Sequence, residues 1–130
     1  MGVRFPSVSS NVIVNTTPTG SAETVVVTTP PLNLPLDFAT VFVFWYVAAL
    51  TGINTLTQTL RLRRGSLVTG ALVNVSQNWT IAASVNSIFP GMYIDTPGAV
   101  AGLQYSVTYQ GNGATGNATI GDVCLMALVL

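Results

Sequence analysis

The chain has no histidine, no lysine and one cysteine, and its charge amounts to four arginines and four carboxylates in 130 residues. Charged residues make up 6% of it, against about 25% in an ordinary soluble domain. Without histidine, Ser-His and Cys-His nucleophiles are excluded, and with a single cysteine the usual zinc and copper sites go too. One cysteine allows no internal disulfide, and Cys124, inside the apolar run "DVCLMALVL", reads as a small buried hydrophobe. The carboxylates Glu23, Asp37, Asp95 and Asp122 are scattered. Asp95 stands just before a turn and Asp37 just after a proline-rich crossing, ordinary places for aspartate. A glycosidase-like carboxylate pair is therefore disfavoured, and the expectation is a protein that is not an enzyme and uses no cofactor and no metal.

Zero net charge argues against a nucleic-acid binder that works by neutralising phosphates. It also argues against a freely soluble monomer and for residence in a larger assembly. No apolar run reaches the roughly 20 residues of a spanning helix, so no membrane is expected. The start "MGVRFPSVSS" has no signal-peptide core and, with Pro6, no myristoylation signal. The Asn-X-Ser/Thr sequons at Asn15, Asn74, Asn78 and Asn117 read as accidents of a Ser/Thr-rich composition.

What is present is strand-forming sequence, 49% hydrophobic, enough for a core. "ATVFVFWYVAAL" (39–50) is β-branched and aromatic rather than helical. As a strand it places Val41, Val43, Trp45 and Val47 on one face and Phe42, Phe44 and Tyr46 on the other. Both faces are apolar and a sandwich core covers one. The second predicts another cover: a neighbouring subunit or the chain's own N-terminal arm. "LTQTLRLR" alternates, with Leu56, Gln58, Leu60 and Leu62 on one face and Thr57, Thr59, Arg61 and Arg63 on the other. "LQYSVTY" (103–109) alternates in the same way, and "DVCLMALVL" is a second strand apolar on both faces.

"PPLNLPL" (30–36) predicts an extended crossing. "ALVNVSQNWTIAAS" (71–84) predicts one bent strand or two short ones. Pro90-Gly91 predicts a break or bulge, and "TPGA" (96–99) a type II turn with Gly98 at its third position. "QGNGATGN" (110–117) reads as an exposed loop. No stretch carries helical periodicity. The prediction is all-β: an antiparallel β-sandwich of jelly-roll type, with about eight strands, over residues 21–130. Residues 1–20, with the short patch Val12, Ile13 and Val14, read as an extended N-terminal arm able to add a strand to something.

Arg61, Arg63 and Arg64 are the one concentration of charge. They predict either contact with an anionic partner or, the favoured reading, pairing within the fold that protects a strand. Trp45, Tyr46, Trp79, Tyr105 and Tyr109 are expected to pack the core and an interface rather than to form a sugar platform.

The runs "AETVVVTTPPLNLPLDFATVFVFWYVAAL", "LRLRRGS", "DTPGAVAGLQYSVT" and "DVCLMALVL" resemble small jelly-roll virion structural proteins of tailed bacteriophages that decorate, or cement, the capsid. The likeness spans about residues 20–130 and lies in Thr/Val/Ala strands, a Pro-Gly turn and an apolar last strand. It implies no catalytic residue. It implies a homotrimer seated on the major capsid protein, located on the virion surface and made in the host cytoplasm, with an arm reaching neighbouring subunits. The expected interface residues are Val12, Ile13, Val14, Phe42, Phe44, Trp45, Tyr46, Arg61 and Arg63. The alternatives are a receptor-binding knob or tail-fibre part and, third, a non-viral carbohydrate-binding sandwich.

Overall fold

The structure is a computed structural model and describes residues 11–16, 22–34, 40–52, 56–73, 77–81, 87–111 and 118–129. Eleven strands run through the described residues: β1 Asn11–Thr16, β2 Thr24–Thr28, β3 Leu32–Leu34, β4 Val41–Gly52, β5 Leu56–Arg64, β6 Ala71–Leu72, β7 Gln77–Ile81, β8 Ser87–Asp95, β9 Val100–Leu103, β10 Tyr105–Gly111 and β11 Ala118–Val129. No helix lies among the described residues.

One sheet has the order β1-β11-β4-β8, and the second β2-β10-β5, with β6 and β7 sharing the far edge of β5. Every pairing is antiparallel. The principal strands thus divide as 1, 4, 8, 11 and 2, 5, 7, 10, the interleaving of a jelly roll. Short β3 and β9 pair with each other, so the proline-rich crossing includes a small strand of its own.

The core lies between the sheets. Val41, Val43, Trp45 and Val47 of β4 and Val123, Leu125 and Ala127 of β11 face Leu60 and Leu62 of β5 and Tyr105, Val107 and Tyr109 of β10, all at most 1% exposed. These inward sets are the period-two sets of the sequence. Gln58 shares the inward row of β5, is buried, and has no partner for either side-chain amide atom.

Two turn readings come out differently. Gly98 has φ +78°, as the third residue of a type II turn requires. Pro90-Gly91, by contrast, is neither break nor bulge. β8 pairs with β4 in unbroken register from Val41↔Asp95 to Val47↔Phe89. β8 is an edge strand, where a residue without an N–H is tolerated. Gly91 has a separate reason: a Cβ there would fall within 2.6 Å of Trp45 Cη2 and closer still to Cζ2 and Cε2. The indole lies over the glycine, so the largest inward side chain of β4 takes the place a side chain at position 91 would fill. Residues 71–84 give two short strands, β6 and β7.

Candidate functional site: an uncovered apolar sheet face

The outward residues of β11, β4 and β8 line up in three cross-strand rows. Leu128, Phe42 and Ile94 form one, Met126, Phe44 and Met92 the next, and Cys124, Tyr46 and Pro90 the third. The register that buries Trp45 thus puts nine apolar side chains on the far side of the same strands. No charged side chain is among the described ones of this face. On β4 and β11 these residues are half-buried by their neighbours, and the Phe44 and Tyr46 rings sit tilted, 6.4 Å between centroids. At the β8 edge the face is open: Ile88, Met92 and Ile94 are 68%, 65% and 61% exposed.

Within the described chain Phe42, Phe44 and Tyr46 are half-buried where Trp45 is fully buried, and the second cover expected for them, a neighbouring subunit or the N-terminal arm, is not among the described residues over this face. Trp45 is a core residue and does not reach the surface, whereas the even-numbered set lies on a face that the described chain leaves open. Burial raises the Cys124 thiol pKa, which slows its chemistry at neutral pH.

The outer face of the second sheet is chemically different. Arg63 donates to both oxygens of Glu23 at 2.6 and 2.8 Å, and also to Gly70 O. Arg61 lies 3.6 Å from Glu23 and donates to Gln110, and Thr108 donates to Glu23 as well. Ser106 donates to Gly65 O. The Arg63 hydrogen bond, against an opposing effect of burial, holds the Glu23 carboxyl below its ordinary value of 4.5. Arg64 and Tyr105 both donate to Asp95 between the sheets, at 2.6 Å for each shortest contact. Burial, with the Asp95 carboxylate adding to it, raises the Tyr105 phenol far above its usual range, so it remains a donor.

The structure thus places the nine expected interface residues apart. Phe42, Phe44 and Tyr46 share the apolar face, Arg61 and Arg63 are ion-paired on the opposite face, and Trp45 is inside. Val12, Ile13 and Val14 lie on edge strand β1, hydrogen-bonded along β11 of the same chain, with Val12↔Val123 and Ile13↔Asp122 in register. The rest of the segment read as an arm, residues 1–10 and 17–20, lies outside the described residues, as do residues 112–117 of the glycine-rich loop and the side chain of Trp79.

Sequence reasoning missed Ile88, Met92 and Ile94, the most exposed part of the face. The alternation in "SIFPGMYID" carries the signal, but Pro90-Gly91 reads locally as an interruption of it. A shallow cleft of about 420 Å³ lined by Asn33, Leu34, Ala99, Val100 and Ala101 carries no ionisable group. Among the described residues no three His, Cys, Asp or Glu side chains gather as metal ligands. No helix there is long and apolar enough to cross a membrane.

No protein-family model matches the chain, and no curated protein matches it in sequence. Among solved structures, a chain from the structure of infectious bursal disease virus, Gx strain, superposes with a TM-score of 0.58 at 8% identity, over 97% of this chain and 33% of that one. This chain therefore spans about a third of the length of the one it matches, and at that identity the likeness concerns the fold. An arabinose-bound α-L-arabinofuranosidase aligns at 12% identity over 83% of this chain and 18% of its own, with a TM-score of 0.38, too loose a match to bear on fold or function.

Proposed function

We propose that this chain is a structural protein of a virion, and specifically a capsid decoration protein that cements the shell by apolar contacts. The observation that carries the reading is the open face of the β1-β11-β4-β8 sheet: nine apolar residues in register, with no charged side chain among those described there. A monomer in water gains nothing from such a face, and an assembled subunit gains its burial. The match to a chain of a virus structure supports the viral setting, and the resemblance to phage decoration proteins supports the finer role. The partner on the shell would be a major capsid protein, and many weak contacts repeated over a lattice would sum to firm attachment.

The test mixes purified protein with undecorated shells at low and high salt. Binding that survives high salt is expected, because apolar contacts are not screened. Absence of binding to any shell, combined with binding to a host-surface glycan, would transfer the protein to the receptor-binding class.

A further inference from the structure

Of the buried polar residues described, all but one are hydrogen-bonded. Thr29 accepts from the Tyr105 N–H, Asp95 accepts from Arg64 and Tyr105, Ser106 donates to Gly65 O and Thr108 donates to Glu23. Gln58, 1% exposed, is the exception. It does not stand alone. Among the described residues, the buried side-chain atoms without a partner are Gln58 Oε1 and Nε2, Gln77 Oε1 and Trp45 Nε1. Native folds keep very few such atoms.

The topology brings these three residues to one side of the core. Gln77 of β7 pairs with Leu60 of β5, so its side chain shares the inward face with Leu60 and Gln58. It stands diagonally from Gln58, a separation of about 7–8 Å in such a pair. The alternate residues of β7, Asn78 and Thr80, are exposed. β7 lies across the core from β4. The Trp45 indole turns over Gly91, with Cε2, the atom bonded to Nε1, 2.3 Å from where a Cβ at position 91 would stand. The two amides therefore belong to one wall of the core and the indole N–H to the other.

The four atoms are two donors and two acceptors. Trp45 Nε1 and Gln58 Nε2 donate, and Gln58 Oε1 and Gln77 Oε1 accept. Direct pairing of the two amides would satisfy one donor and one acceptor and leave the indole unpaired. A cation is opposed by the indole N–H and by the lack of a carboxylate among the three residues. Water offers two protons and two lone pairs, and a buried water makes about three hydrogen bonds.

We propose that Gln58, Gln77 and Trp45 form an internal hydration site, in which ordered water bridges the two sheets. The site lies inside the sandwich and is independent of the shell role, which uses the outer face. Its bridge ties edge strand β7 to core strand β4.

The test observes water at the indole. In isotope-labelled wild type, the Trp45 Nε1 proton is assigned through its contact with the Gly91 α-protons. It should show a rotating-frame Overhauser peak to water, opposite in sign to a peak from chemical exchange. Gln58→Met keeps the length of the side chain and loses both amide groups. It should retain β-type circular dichroism, abolish the water peak at Trp45 and lower the urea midpoint, because Gln77 Oε1 and Trp45 Nε1 lose the water that joins them. A dry site gives the reverse. Wild type then shows no water peak at Trp45, and Gln58→Met has the higher midpoint, because an unpaired buried amide has been replaced by an apolar group. Either of those results overturns the proposal. A water peak that Gln58→Met leaves unchanged overturns it as well, since that water would belong to Trp45 alone.

Discussion

The two outer faces of this sandwich belong to one antiparallel fold and end in opposite chemistry. On the β2-β10-β5 side, two arginines, a glutamate and several hydroxyls close on one another. On the β1-β11-β4-β8 side, phenylalanine, methionine, isoleucine and leucine, with Tyr46, Cys124 and Pro90, stand in rows with none of the described residues over them. A face whose charged groups pair with one another has little to offer a partner beyond water. A face on which the Tyr46 hydroxyl is the main polar group has every reason to be covered. With eight charged residues in all, three of those described are committed to the first face, and the second is left apolar. The comparison is the reason the proposed assembly surface is put on one side of the molecule, without any recognisable binding motif.

The sharpest way to break the comparison is at β4, whose alternate residues belong to the core and to the open face. Trp45→Ala should destabilise by about 3–5 kcal/mol, the cost of truncating a fully buried aromatic. Phe44→Ala, one residue away and half-buried, should cost about 1 kcal/mol. Urea denaturation of both variants checks the ratio, and equal losses would mean that the two faces are not distinct.

Gly91→Ala follows in size. The added methyl would collide with the Trp45 indole, and overpacking of this kind costs about 1–3 kcal/mol. The double variant Trp45→Leu/Gly91→Ala should recover part of that loss, which distinguishes the collision from a general intolerance of alanine in an edge strand.

On the polar face, Arg63→Met should cost about 1–3 kcal/mol at pH 7, because it removes two hydrogen bonds to a carboxylate that is mostly out of water. The pH dependence fixes the cause. Glu23 has a lowered pKa in the folded state, so its contribution is complete above the ordinary carboxylate value and is lost as pH falls through the folded one. The gap between wild type and Arg63→Met should therefore narrow between about pH 5 and pH 3. A gap independent of pH would assign the loss to the bond to the Gly70 carbonyl or to packing of the arginine stem.

Much of the fold was legible because period-two patterns survive folding. The inward rows of β4, β5 and β10 are the alternating residues of the sequence, and the Pro97-Gly98 turn carries its own backbone requirement. Two features were hidden for physical reasons. Pro90-Gly91 looks like an interruption locally. Only the knowledge that β8 is an edge strand, and that Trp45 needs room opposite Gly91, makes both residues regular. The fate of the arginines was hidden as well, since Glu23 and Arg63 are 40 residues apart and meet through the pairing of β2, β10 and β5. The apolar second face of β4 could be read from sequence. Its extent across β8 could not, because it depends on which strand lies alongside.

The central claim is that the apolar face is buried in the assembled protein and the rest of the surface is not. Oxidative footprinting tests it directly, because Met92 and Leu67 are equally exposed in the single chain, at 65% each. Met92 lies on the face and Leu67 in the turn that follows β5. The rate of side-chain oxidation is compared between dilute protein and the assembled form, with each residue serving as its own reference. The account predicts that assembly slows Met92 by about ten-fold or more while Leu67 keeps its rate, as expected when water is excluded from one patch. Unchanged oxidation of Met92 alongside protection of Leu67 would contradict it and move the interface to the other sheet.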